Sequence, residues 1–120
     1  MRIYIQTQGF ELTPAIEAHV QKQLKRNFAA MEDQIMAVDV FLGDINGPRG
    51  GEDKKALVSV QLASRLAVRL ETVHADLYAA VSRVARRAKH TVKRTMRRHN
   101  RIRKAEIRQL RHFQGELQAG

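Results

Sequence analysis

The stretch from Asp76 to Arg98, DLYAAVSRVARRAKHTVKRTMRR, sets the terms for the fold. Leu77, Val81, Val84, Ala88 and Val92 recur at steps of three and four, which lines them up on one side of a helix. Arg83, Arg86, Arg87, His90, Lys93, Arg94, Arg97 and Arg98 fall off that stripe. Such a helix has one narrow apolar face to bury and a broad cationic face that must stay wet. From Arg83 onward, thirteen Lys and Arg stand against two acids, whereas residues 1–82 hold nine against ten. Like charges three and four apart on a helix repel by roughly 0.2–0.5 kcal/mol per pair. A face that is merely solvated mixes signs to avoid this cost. One that does not mix them points to a polyanionic partner, nucleic acid first and anionic membrane second.

The segments before it supply something for the helix to cover. Ile3 and Ile5 alternate with Arg2, Tyr4 and Gln6, predicting a half-buried strand that Gly9 ends. Thr13-Pro14 offers an N-cap and a first-turn proline. Ile16, Val20, Leu24 and Phe28 then repeat every four residues, with Ala15 and Met31 alongside, predicting a first helix over 14–30. Its outer face carries Lys22, Lys25 and Arg26. Period two returns with Met36, Val38, Val40 and Leu42 on one face and Ala37, Asp39 and Phe41 on the other. Gly43 to Lys55, with Asn46-Gly47-Pro48 inside it, reads as a loop. Leu57 to Leu62 and Leu66 to Glu71 give two more alternating strands around a tight turn at Ala63-Ser64-Arg65. Asp76 stands where a carboxylate suits the positive end of the second helix.

The order is β-α-β-β-β-α. Four strands with one wet face each and two amphipathic helices are satisfied together by a two-layer α+β sandwich. It has a four-stranded mixed sheet with both helices on one face: the first two strands parallel, the last three an antiparallel meander. Residues 1–98 form this domain. Residues 99–120 read as a basic helical extension or a mobile tail, because Ile102, Ala105, Ile107, Leu110 and Phe113 keep no regular spacing.

At 120 residues the chain is one domain with a modest core. It has no cysteine, which removes disulfides, thiolate catalysis and cysteine-ligated zinc. No apolar run approaches the ~18 residues of a spanning helix, and no signal-peptide stretch opens the chain. The expectation is a cytoplasmic monomer.

Gly9, Glu11-Leu12-Thr13 at the head of the first helix, the strand order, and above all Asp76-Leu77-Tyr78-Ala79-Ala80-Val81 leading into a basic helix resemble the ribosome hibernation-promoting factor / ribosome-associated inhibitor A family. The resemblance covers about residues 1–98. It implies the β-α-β-β-β-α fold, similar to that of double-stranded-RNA-binding domains. It also implies a non-enzymatic factor that binds the small ribosomal subunit near the decoding region and silences translation under stress or in stationary phase. On this resemblance Arg87, Arg94 and Arg98 fall where relatives hold basic residues on the second helix, and Arg26 matches one on the first. His90 occupies another such place and carries charge only when protonated. A neighbouring first-helix place holds Gln23, with Lys22 beside it.

The chemistry is consistent with folded RNA. Arginine grips phosphate bidentately and stacks on bases, and it dominates this face. Folded RNA is read through shape, phosphates and 2′-hydroxyls. Tyr4 and Phe41 are isolated, so the sheet offers no aromatic platform for single strands. The expected partner is the small subunit's rRNA; no membrane, small-molecule substrate, cofactor or metal is expected. A general structured-RNA- or DNA-binding module is the alternative. A metal-dependent nuclease built on Asp39, Asp44 and Asp53 is the remote one. His19, His74, His90, His99 and His112 show no metal-ligand spacing, and the glycine-rich loop lacks the P-loop pattern.

Overall fold

The computed structural model describes residues 1–45 and 53–119, with side-chain surroundings as far as residue 113. The chain runs β1 (Arg2–Gln8), α1 (Pro14–Phe28), a 3-10 turn (Ala29–Gln34), β2 (Ile35–Asp44), β3 (Lys54–Leu62), β4 (Ala67–His74) and α2 (Leu77–Ala119). The order and the α+β class match the expectation. Most of the glycine-rich loop, residues 46–52, lies outside the described residues.

The sheet order is β1-β2-β3-β4, with β1 parallel to β2 and the other pairs antiparallel. Register explains why alternation in four separate segments makes one core. Ile3, Val38, Val60 and Val68 stand side by side across the strands, as do Ile5, Val40, Val58 and Leu70. Thr7, Leu42, Ala56 and Thr72 make a third rung. The apolar members of these rungs pack in one cluster with Val20, Leu24 and Phe28 of α1 and Val81, Val84, Ala85, Ala88 and Val92 of α2. Both helices therefore cover the same face.

α1 begins as its sequence requires: Thr13 Oγ1 accepts from the Ile16 amide at 3.2 Å, and Pro14 opens the helix. The regular helix stops at Phe28 instead of continuing to residue 30, and Ala15 faces solvent. Met31 does reach the core, from the 3-10 turn. α2 starts at Asp76, whose Oδ1 accepts from the Tyr78 amide at 3.0 Å. Between β1 and α1, Gly9 has φ +90°, and a Cβ there would stand 3.2 Å from the Asp44 Cβ.

One strand reading needs correction. Alternation with Val38 puts Met36 on the core face, but it is 61 % exposed while Ile35 is 3 % exposed. A β-bulge between Ile35 and Ala37 accounts for this. One extra residue shifts the alternation by one, so the strand enters the core with Ile35 and resumes with Val38.

The bulge makes a sharp prediction. Ile35→Ala should cost about 2–5 kcal/mol, as for a large buried aliphatic, while Met36→Ala stays within about 0.5 kcal/mol. Urea denaturation of both variants checks it, and equal losses would contradict the bulge. Gly9→Ala should cost roughly 1–3 kcal/mol in the same assay, from left-handed backbone strain and the approach to Asp44.

Candidate nucleic-acid interface

The fully buried side chains of α2 are all small, Ala80, Val81, Val84, Ala85, Ala88 and Val92, with Leu77 and Met96 packed partly buried at the two ends. That lets the helix lie close on the sheet and turns its long side chains outward. Arg83, Arg86, Arg87, His90, Arg94, Arg97 and Arg98 are all exposed, and Lys93 is half-buried. None of the arginines among them has an acidic partner among the described residues. The ion pairs there are Lys54–Asp44 at 3.0 Å, Lys54–Asp53 at 3.5 Å and Lys55–Glu71 at 3.2 Å, all on the sheet strands or their ends. Among the described residues, the arginines from Arg83 to Arg98 thus meet no carboxylate.

α1 lies alongside and is keyed to α2 by His19. Its Nε2–H donates to the Tyr78 carbonyl at 3.1 Å and sits 3.2 Å from Ser82 Oγ, which donates to the same carbonyl. The His19 ring also meets the Tyr78 ring edge-on, with centroids 4.9 Å apart. Beyond this contact the helices leave a groove of about 560 Å³. Its α1 wall is Gln23, Arg26 and Asn27; its α2 wall is Ser82, Arg83, Arg86, Lys89 and His90.

His90 stands on a ridge. On its other flank a second concavity of about 580 Å³ runs along β4, bordered by Leu70, Arg87, Thr91, Lys93, Arg94 and Arg97. Two of these arginines are pre-positioned. Arg87 Nη1 donates to the Glu71 carbonyl at 2.9 Å and to Thr72 Oγ1 at 3.0 Å. Arg94 Nη2 donates to Thr91 Oγ1 at 3.2 Å. A guanidinium has five N–H donors, so each keeps several for an incoming anion while losing less side-chain entropy on binding.

The structure sorts the first-helix candidates. Arg26 faces the α2 cations across the groove. Lys22 and Lys25 are exposed on α1 but form no part of the groove wall. Arg98 lies further along α2, beside Arg94 and Arg97. Gln23, the first-helix place marked by the resemblance, does line the groove, whereas the sequence did not single out Lys89, Asn27 and Ser82. Lys89 follows Arg86 by three, a spacing that marks it in retrospect. Asn27 and Ser82 carry no signal without the helix pairing.

The rival acidic site resolves into an internal clamp. Asp53 is nearly buried, and Lys54 bridges it to Asp44 where β2 and β3 meet the glycine-rich segment. The Ile45 amide closes the same neck on the Asp53 carbonyl at 2.8 Å. Asp39 projects from the opposite sheet face, exposed. Among the described residues no three His, Asp or Glu side chains converge in a way that would hold a metal ion.

A model of the family described as Sigma 54 modulation protein / S30EA ribosomal protein matches residues 3–100. The chain belongs to this family. The match bears out the resemblance to hibernation-promoting factors and makes this protein one of a ribosome-associated group. The crystal structure of the Thermus thermophilus Protein Y N-terminal domain is similar at 33% identity, covering 79% of this chain and 99% of that one, with TM-score 0.67. A ribosomal subunit interface protein from Coxiella burnetii shares the fold at 18% identity and TM-score 0.68, covering 80% of this chain and 98% of its own. No curated protein matches the chain significantly. No helix among the described residues is long and apolar enough to cross a membrane.

The clamp carries a pH signature. The hydrogen bond from Lys54 to Asp44, with the charges of Asp44 and Asp53, raises the Lys54 pKa above the ordinary lysine value despite some desolvation. A group raised on folding stabilises fully below its unfolded pKa and loses that contribution as pH climbs through the folded one. Lys54→Met should therefore be less stable than the parent at neutral pH, with the gap closing only above the ordinary lysine range. Urea midpoints across pH 7 to strongly alkaline buffer test this; a gap that persists unchanged would contradict it.

Proposed function

We propose that this protein is a non-enzymatic factor that lays its paired helices on structured rRNA of the small ribosomal subunit, near the decoding region, and idles translation. The observation that carries this reading is the groove itself. Two helices keyed together by His19 bring Arg26 opposite Arg83, Arg86 and Lys89, and no acid of the described chain neutralises those four cations. Such a surface binds phosphates mainly by releasing condensed counterions. Its arginine content and pre-set geometry suit a folded RNA of fixed shape better than a diffuse anionic surface. The choice of the small subunit, the decoding region and the silencing of translation follow the resemblance carried by Asp76 to Val81, and the family match supports the ribosome as partner.

Sucrose-gradient sedimentation of a stationary-phase lysate tests the assignment. The protein should travel with particles containing the small subunit and resist salt-matched competition by bulk duplex RNA; uniform spread over all RNA would favour a general RNA-binding module. The triple variant Arg83→Gln, Arg86→Gln, Arg94→Gln should bind small subunits more weakly. Its plot of log affinity against log salt should flatten by roughly 2–3, close to one per lost phosphate contact. An unchanged slope would remove these residues from the interface.

A further inference from the structure

We infer that α2 beyond the sandwich is a second phosphate-binding arm, which takes RNA lying outside the footprint of the α1–α2 groove. The inference rests on the function proposed above and extends it to a part of the chain that the family match, ending at residue 100, does not reach.

α2 is one helix from Leu77 to Ala119. Met96 is the last of its side chains packed against the core, and every residue from Asn100 to Phe113 is exposed. The cationic row does not stop with the core. Arg94, Arg97, Arg101, Lys104, Arg108 and Arg111 follow one another at steps of three, four, three, four and three. Alternating steps of three and four average 3.5 residues, close to one helical turn, so these six side chains form a single ridge that drifts only slowly round the helix. At 1.5 Å per residue the ridge is about 25 Å long, and most of it lies past the sheet. Arg94, Arg97, Arg98, Arg101 and Lys104 together border a concavity of about 680 Å³, which joins the domain's cations to those of the arm without a break.

Charge and spacing decide what kind of partner the arm takes. Between residues 101 and 113 five Lys and Arg stand against Glu106 alone. A second copy of the chain would set like charge against like. The exposed apolar residues Ile102, Ile107, Leu110 and Phe113 fall within about 140° of one another, on the side of the helix turned away from the ridge, so they leave the row of cations unbroken. The regular feature is the cation ridge, and a regular cation ridge fits a phosphate backbone.

The test uses the full chain with Arg101→Gln, Lys104→Gln, Arg108→Gln and Arg111→Gln, read as the salt dependence of binding to purified small subunits. The log–log slope should fall by roughly 3–4. Because the chain has no cysteine, Gln109→Cys provides a single attachment point for a tethered iron probe. Hydroxyl radicals from it should cut rRNA at a segment distinct from that protected by the groove. A slope equal to the parent's, or no rRNA cleavage from position 109, overturns the arm. So does loss of binding with Ile102→Gln, Leu110→Gln, Phe113→Gln while the cation variant binds normally, since the arm then docks on protein. The double variant Arg83→Gln, Arg86→Gln, whose two residues line the groove and lie outside the ridge, reports on the groove separately, so failure of the arm and failure of the proposed function give different results.

Discussion

The seating of α2 on the sheet through alanine and valine is the contact on which everything else depends. The helix holds long runs of like charge with almost no acid within reach, and each close pair costs roughly 0.2–0.5 kcal/mol. Burial of Val81, Val84 and Val92 returns more, about 1.5–3 kcal/mol for each fully buried side chain. Packing rather than intrinsic preference therefore holds the cationic helix in shape. The larger volumes that fill the core come from elsewhere: Leu24 and Phe28 on α1, Leu42 and Leu62 on the sheet. That division keeps α2 close to the strands, and the height at which its arginines emerge is fixed by side chains too small to repack in many ways.

The orientation of the cations follows from that seating and from a few specific hydrogen bonds. Asp76 fixes where the helix starts, and therefore which residues face the sheet. Arg87 is held to the end of β4, and Arg94 to the turn before it. His19 sets the separation of the two helices. Each contact is local, yet together they convert a charged helix surface into two concavities on either side of His90.

Much of the fold could be read from the chain because its strands and helices each repeat with an unambiguous period. Alternation marks Ile3, Ile5, Val38, Val40, Leu42, Val68 and Leu70 for the core, whereas Ala56 and Thr72 of the third rung lie just outside the strands the period shows and are added by register. The exception is Met36. A bulge leaves no trace in residue type, since Ile35 and Met36 are both apolar, and only pairing with β3 shows which one turns inward. The site was half legible. Cations on α2 are marked by falling off the apolar stripe, and all of them do reach the surface. On α1 the same rule names Lys22, Lys25 and Arg26 alike, because the position of a neighbouring helix is not written in the period of the first. Lys89, Gln23 and Asn27 become part of the groove only through that neighbour. The course of α2 past residue 100 was also open in the sequence, because its apolar spacing there is irregular while its cation spacing is not.

The link between α1 and α2 is an imidazole-to-carbonyl hydrogen bond with an edge-on ring contact, not an ion pair. Mobile ions weaken attraction between exposed charges over distances of about 8 Å and beyond at physiological strength, but they act little on such short uncharged contacts or on apolar packing. The scaffold and the polyanion binding proposed for it therefore differ in their response to the ionic medium. On the proposed function, a concentrated salt wash would release the polyanion while the sandwich stays folded, so that capture and discharge could alternate without denaturation.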